Sequence, residues 1–344
     1  MKIKKNIVYI CDAGKKASGG VKIIYQHSEI INSLRNYKSE ILHIKLRKTA
    51  KWSISLSKKI TFKNDSKHGW QANQIKAAEN FKHRWFKNKI NLKKDLTFSS
   101  KKDFVIIPEI YAHLADDLLL KKKIKYAIFV QNGYAINSIN HFSKIKKVYN
   151  NAQFILSYSK DINDCILLNF PNIKKEIRQL SISIDVKKYK FGSKKKNLIT
   201  YMSRKLPEHS EKVISLLKIY LPRKWEIKDL NNMNERDVFK NLNLSKIFMS
   251  FSYLEGLGMP PIEAALFKNK VIGYTGEGGK EYWKKPIFTE INSGDIKKFV
   301  KIIIKNLTFK ETQLKRQRKK ISIKFSKKNE ILSIKKFLNS INKI

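Results

Sequence analysis

Apolar residues fall in short runs bounded by polar or glycine-containing stretches, and these runs alternate with longer segments of helical period. The first run, "NIVYI" (6–10), reads as a buried strand. A polar loop ending in "SGG" (18–20) follows, and from about Val21 to Asn36 the apolar positions repeat at helical spacing. Further strands are predicted at "FVIIPEI" (104–110), "KYAIFVQN" (125–132) and "AQFILSYS" (152–159). Strands alternating with helices argue for a parallel α/β sheet. The stretch "HGWQANQIKAAENFKHRWF" (68–86) reads as helical, with Trp70 and Trp85 as core or lid residues.

Near residue 186 the pattern restarts. "ISID" (182–185) leads into the charged connector "VKKYKFGSKKKN", and a fresh strand, "LITYMS", begins at Leu198. A helix around 210–220 and a second at "NERDVFKNLNLS" precede the strand "KIFMSFS" (246–252). After a glycine- and proline-rich turn come a short helix and the strand "KVIGYT" (270–275). The tail from Lys327 has apolar residues at helical spacing and is expected to pack as an amphipathic helix. A chain of 344 residues holds two domains of ordinary size. The composition shift places the first at 1–186 and the second at 187–324.

Composition changes the picture in one respect. Hydrophobic residues make up 42% and aromatics 11%, so the chain buries a core, yet the formal net charge is +45. Such a balance points to nucleic acid or anionic lipid. The type of base weakens that reading, because nine of the 73 basic residues are arginine and 73 − 9 = 64 are lysine. Lysine, isoleucine and asparagine rise together in AT-rich coding sequence, which leaves much of the charge as solvated surface. The densest run, "LKRQRKK" (314–320), is the best candidate for an anionic surface. Cys11 and Cys165 stand in no metal-ligand spacing, which fits a reduced cytoplasmic compartment. The apolar core of the N-terminus, Ile7 to Cys11, is too short for a signal peptide, and no run is long enough to span a bilayer.

The candidate chemistry lies in "SYLEGLGMPPIEAALFKNKVIGYTGEGG" (252–279). The strand before it delivers the chain to the C-terminal edge of a sheet, where α/β proteins place their ligands. Gly256 and Gly258 allow close backbone approach, and Pro260 or Pro261 suits the first turn of a helix. The amides and dipole at that helix start suit a phosphate or diphosphate. Glu255, in the preceding loop, and Glu263, in the first helical turn, can then bind vicinal hydroxyls. The plainer reading is a cap, with Glu263 steadying the helix start and the glycines only turning the chain.

The surrounding sequence shifts that balance. "EGLGMPPIE", Glu255 to Glu263, followed by "GEGGKEYW", resembles the donor-site block of the retaining, family 4 type glycosyltransferases of the GT-B fold. The resemblance spans nearly the whole chain: "SGGV", "ILSYSKD", "SISIDVKKYKF" and "ITYMSRK" look like the family's other landmarks, in order. It implies two Rossmann-like α/β domains facing each other across a cleft. The first would be the acceptor side, the second would bind the nucleotide-sugar, and a final helix, 325–344, would cross back to the first domain.

The resemblance further implies that Glu263 binds the nucleotide ribose and Glu255 the sugar hydroxyls. Gly256, Leu257 and Gly258, with Gly19 and Gly20 of the N-terminal loop, would line the donor. Arg204 would neutralise the leaving diphosphate. The usual second cation falls on Lys205, with Lys212 as the alternative. Where many relatives have a histidine this chain has "FVQNGY", so Gln131 or Asn132 would meet the sugar, and neither titrates near neutrality. Glu109 is a further candidate for acceptor contact. No Asp-x-Asp triplet occurs, "DD" at 116–117 reads as a solvated helix face, and neither a metal nor a cofactor is expected.

The implied activity is transfer of a sugar from a nucleotide-diphosphate donor to a hydroxyl of a glycan or lipid-linked acceptor, in cell-surface glycan synthesis. The implied location is cytoplasmic, against an anionic membrane surface, with no specific nucleic acid as partner. Two rivals stand beside it: a non-catalytic basic protein binding RNA or a membrane surface, and an enzyme of the same architecture that hydrolyses or epimerises the donor. No aromatic-basic recognition motif supports the first.

Overall fold

The computed structural model describes residues 5–14, 18–46, 75–136, 142–192, 194–309 and 314–344. The chain divides into two compact units. Unit 1 comprises Met1–Ser157, Ile162–Leu180 and Ile334–Ile344; unit 2 comprises Tyr158–Asp161 and Ser181–Ser333. The break expected at 186 thus falls at 180/181.

Unit 1 is built on β1 (Lys5–Asp12), α1 (Gly19–Ser33), β2 (Tyr37–Leu46), β3 (Ile75–Ala77), β4 (Asn91–Leu92) and β5 (Asp103–Pro108). After β5 come helical turns over Glu109–Leu114 and Asp116–Leu120, then β6 (Tyr126–Phe129), α2 (Phe142–Asn151), β7 (Phe154–Ser157), α3 (Lys160–Asn169) and β8 (Ile177–Gln179). The sheet order is β3-β2-β1-β5-β6-β7-β8, with β4 beside β2. All pairings are parallel except that of β3 with β2. Ile7, Val8, Tyr9, Ile10 and Cys11 of β1 are all buried, which is why the central strand reads as an unbroken apolar run.

The helix expected over 68–86 is not there in its described part. Residues 75–77 are strand, because Ile44 and Lys45 of β2 pair with Ala77 and Lys76, and tertiary pairing overrides helical propensity. Trp85 is 45% exposed and not a core residue, and Trp70 lies outside the described residues. The acidic pair is not a solvated face either. Asp116 is buried and 2.9 Å from Lys147 Nζ, while Asp117 pairs with Lys121 and Lys144.

Unit 2 contains β9 (Leu198–Tyr201), α4 (Pro207–Tyr220), β10 (Glu226–Asp229), α5 (Glu235–Leu244), β11 (Ile247–Glu255), α6 (Met259–Leu266), β12 (Lys270–Glu277), β13 (Phe288–Glu290), α7 (Ile296–Lys305) and α8 (Lys315–Lys324). Its sheet, β10-β9-β11-β12-β13, is parallel throughout. Phe251 of β11 stacks on Phe299 of α7 at 5.0 Å between ring centroids, with Tyr274 of β12 edge-on to both.

The last helix, α9 (Lys327–Ile341), begins in unit 2 and ends in unit 1. In unit 2 its Glu330 accepts from Ser183 Oγ at 2.6 Å. In unit 1, Phe337 packs edge-on to Phe104 and Phe154 at 6.2 and 5.7 Å. Among the described residues no helix is long and apolar enough to cross a membrane.

Candidate functional site

In unit 2 the sheet order runs outward in both directions from the β9/β11 boundary, a topological switch point. At such a boundary the loops after the two strands part and leave a crevice beyond their carboxyl ends. The loop after β9 carries Ser203, Arg204 and Lys205, and the chain beyond β11 carries Gly256, Leu257 and Gly258. Asp229, which ends β10, holds the first loop by accepting from Ser203 Oγ at 2.5 Å. Arg204 is exposed, and so is the alternative cation, Lys212, on α4.

Lys205 and Glu255 meet across the switch point, with Nζ 3.3 Å from Oε1 and both side chains about a third exposed or less (32% and 27%). Glu255 is not in a loop, as expected, but is the last residue of β11. The strand slips register between Ser252 and Glu255 and resumes pairing with β12 at Glu277. The slip is made by a bulge whose Leu254 has φ +44°, and Glu277 opposite has φ +66°. Non-glycine residues in the left-handed region cost about 1 kcal/mol each and concentrate at functional sites.

The two glycine loops are one structure. Gly278 N donates to Glu255 O at 3.2 Å, and a Cβ at Gly278 would stand 2.2 Å from Gly256 O, inside any allowed contact. Gly258, with φ +74°, caps α6 and turns the chain into it. Its carbonyl accepts from the buried Tyr282 hydroxyl at 2.7 Å, and Gly256 O accepts from Ser159 Oγ at 2.5 Å. Burial, reinforced by Glu255 and then Glu281, pushes the Tyr282 phenol well above its ordinary range, so this hydroxyl stays a donor. Leu257 is buried. Glu263 is the fifth residue of α6, buried in its second turn and not in the first, because the helix starts at Met259.

Unit 1 gathers its candidates at the matching boundary, between β1 and β5. Ser18 Oγ caps α1 by accepting from Val21 N at 3.2 Å, which sets Gly19 and Gly20 in the first turn. Gln131, beyond β6, donates from Nε2 to Gly20 O at 3.0 Å. Glu109 is buried, and its two oxygens accept from the amides of Gln131 and Asn132 at 2.9 and 3.0 Å. Burial, outweighing those bonds, pushes its carboxyl up to about 7. Asn132 Oδ1 in turn accepts from Tyr134 N at 3.0 Å. Glu109 thus shapes the loop after β6 from below.

Ser159, Asp229 and Tyr282 escaped the sequence reading as site residues. Ser159 and Tyr282 lie inside stretches the resemblance marked, "ILSYSKD" and "GEGGKEYW", but their hydrogen bonds span 97 and 24 residues and leave no local signal.

Two sheets flanked by helices, parallel but for β3, with a last helix shared between the units, make this a GT-B fold, the fold of a large class of glycosyltransferases. The particular proteins it resembles are distant in sequence. Sucrose-phosphate synthase from Thermosynechococcus elongatus aligns with TM-score 0.68 and 10% identity over 98% of this chain and 99% of that one. HepE from Anabaena, solved with UDP and glucose, aligns with TM-score 0.64 and 8% identity over 99% and 100%. The N-terminal domain of Candida albicans trehalose-6-phosphate phosphatase gives 0.64 and 10% over 99% and 97%. No protein-family model matches the chain, and no curated protein matches it in sequence.

Proposed function

We propose that this protein is a retaining glycosyltransferase that moves a sugar from a nucleoside-diphosphate sugar to an acceptor hydroxyl. One observation carries the reading: Lys205 and Glu255 meet at the switch point of unit 2, beside a buried glycine loop held by Tyr282 and Ser159. That arrangement pairs a cation for phosphate with a carboxylate for sugar hydroxyls. The fold neighbours point the same way, since HepE was solved with UDP and glucose and the Burkholderia xenovorans trehalose-phosphate synthase is described as UDP-forming.

In this proposal Arg204, Lys205 and the amides of Gly256, Leu257 and Gly258 hold the diphosphate as it departs, supplying positive potential where negative charge develops. Glu263 binds the ribose and Glu255 the sugar. The unit 1 candidates, Gly19, Gly20, Gln131 and Asn132, are grouped at the β1/β5 boundary of their own sheet. The anomeric carbon loses its bond to the phosphate oxygen and gains one to the acceptor oxygen on the same face. The acceptor proton goes to the departing diphosphate. No metal or cofactor is assigned a role.

The acceptor is a surface glycan or its lipid-linked precursor, handled at the cytoplasmic face of an anionic membrane. Helix α8 supports this partner: Lys315, Arg316, Lys319 and Lys320 are exposed on it, and grooves of about 740 and 640 Å³ along its flanks mix lysine and arginine with apolar side chains and Glu281. A polybasic segment gains about 1 kcal/mol per basic residue near such a surface.

The test is a panel of nucleoside-diphosphate sugars screened by melting temperature, since a ligand of the folded state alone raises it. The expected result is a rise with one donor, followed by acceptor-dependent release of nucleoside diphosphate and a product of unchanged anomeric configuration. Absence of any shift, with steeply salt-dependent RNA binding in its place, would overturn the reading in favour of a nucleic-acid binder. Release of sugar without acceptor would mark a hydrolase instead.

A further inference from the structure

Away from the donor loops, unit 1 buries a second cluster of chemistry-bearing side chains. Cys11 near the end of β1, His43 near the end of β2, and His83 in the segment after β3 are all buried. The Cys11 sulfur and one nitrogen of each imidazole lie within 4.8 Å of one another. Three elements far apart in sequence converge on this point because β1 and β2 are parallel neighbours in register, with Cys11 opposite His43. His83 is brought in by its own backbone, whose N–H donates to Tyr25 Oη at 3.0 Å.

The hydrogen bonds around the cluster decide which atoms are left over. His83 Nε2 is 3.0 Å from Asp12 O, a carbonyl that can only accept, so Nε2 carries the proton and Nδ1 a lone pair. His43 Nε2 is 2.9 Å from Tyr25 Oη, while its Nδ1 is buried with no hydrogen-bond partner among the described residues. His43 is 1% exposed. A buried polar atom left without a partner is costly. If His43 Nε2–H donates to Tyr25, that Nδ1 is a second imidazole lone pair in the cluster.

We infer that Cys11, His43 and His83 form a site for a thiophilic divalent metal ion of the zinc type, with water as fourth ligand. A thiolate and two imidazoles suit such an ion and not magnesium or calcium. Tetrahedral zinc, with bonds of about 2.0–2.3 Å, spaces its ligands about 3.5 Å apart, so from separations within 4.8 Å the cluster closes by about 1.3 Å at most. Tyr25 on His43 and the Asp12 carbonyl on His83 are the outer hydrogen bonds that orient imidazole ligands in metal sites. The Asp12 carboxylate, held by Tyr111 Oη at 2.8 Å and Gly14 N at 2.9 Å, adds negative charge next to the site. On binding, the thiol proton leaves to solvent and the metal–sulfur bond replaces it. The ion ties β1, β2 and the segment carrying His83 together independently of the donor loops.

The test uses Co²⁺ as a spectroscopic stand-in for Zn²⁺, on the full chain carrying Cys165→Ser. The chain has two cysteines, so a thiolate-to-cobalt charge-transfer band in that variant must come from Cys11. The expected result is that band, saturating at one ion per chain, its loss on competition by Zn²⁺, and a rise in melting temperature with Zn²⁺. His83→Gln weakens Co²⁺ binding about 100-fold or more, an effect at the upper end of that for removing a supporting group. Absence of the band in Cys165→Ser, or Co²⁺ binding unchanged in His83→Gln, overturns the proposal whether or not substitutions of Cys11 fold.

Discussion

Lys205 Nζ lies 3.3 Å from Glu255 Oε1, so the cation proposed for the diphosphate and the carboxylate proposed for the sugar are ion-paired with each other. The pair is about a third exposed to solvent, and each partner restrains the other's rotamer. Donor binding then divides the pair: phosphate competes for Lys205 and sugar hydroxyls for Glu255. Lys205→Ala is expected to lower donor turnover about 10²-fold. Glu255→Gln is expected to lower it as well, and the double variant to lose less than the product of the two, because contacting residues are not additive. Steady-state kinetics of the four proteins measures the coupling, and strict additivity would sever the two roles.

Arg204 is exposed, so its removal leaves the fold untouched. Arg204→Ala is expected to unfold within about 0.5 kcal/mol of wild type while losing 10²-fold or more of turnover, by urea titration and assay together. Glu263 needs the gentler substitution to Gln, since it is buried within α6 and truncation to alanine opens the core as well as the site. A Glu263→Gln protein that folds and still turns over donor at the full rate removes the ribose assignment.

The contact between the two glycine loops allows no Cβ at Gly278, which would lie 2.2 Å from Gly256 O and 2.6 Å from Glu255 O. Those are backbone atoms and cannot swing aside. Gly278→Ala is expected to cost about 1–3 kcal/mol and to weaken donor binding at least tenfold. Gly192→Ala, in a connector position with open space around it, is the control and is expected to change neither.

Tyr282→Phe removes the donor to Gly258 O and leaves that buried carbonyl without it. The expected loss is about 1–3 kcal/mol in denaturant unfolding. KM for the donor should rise with it, since the carbonyl belongs to the residue that turns the chain into α6.

Glu109 makes stability depend on pH. Burial raises its carboxyl from the ordinary 4.5 to about 7. Between those values the folded protein keeps a proton that the unfolded chain has released. The stabilisation is therefore complete below pH 4.5 and is lost as pH rises through 7, by about 3 kcal/mol in all. Wild type compared with Glu109→Gln by urea unfolding at several pH values should show that difference. A flat difference would mean the carboxyl is ionised throughout, held so by the Gln131 and Asn132 amides.

The alternation of apolar runs was enough to place β1, β5, β6, β7, β9, β11 and β12, because strands buried on both faces must be apolar at every position. Strand β10, "EIKD", alternates exposed and half-buried positions at a sheet edge and carries no such run. Strand β3 was hidden inside a helical pattern, because its pairing partner is Ile44 to Leu46 and not its sequence neighbours. The glycine loops of the site were legible because backbone freedom marks them: Gly258 takes φ +74°, and a Cβ at Gly278 would meet the Gly256 backbone at 2.2 Å.

By itself, then, the order of residues determined two α/β units, the switch-point loops and which side chains stand in them, since these follow from local period and backbone freedom. Only the tertiary structure decided that Lys205 and Glu255 pair, that Glu109 pins Gln131 and Asn132, and that Cys11, His43 and His83 converge. Each of these joins residues far apart in the chain, across separations of up to 72 positions (83 − 11), and a sum over long-range contacts leaves no mark in any short stretch of sequence.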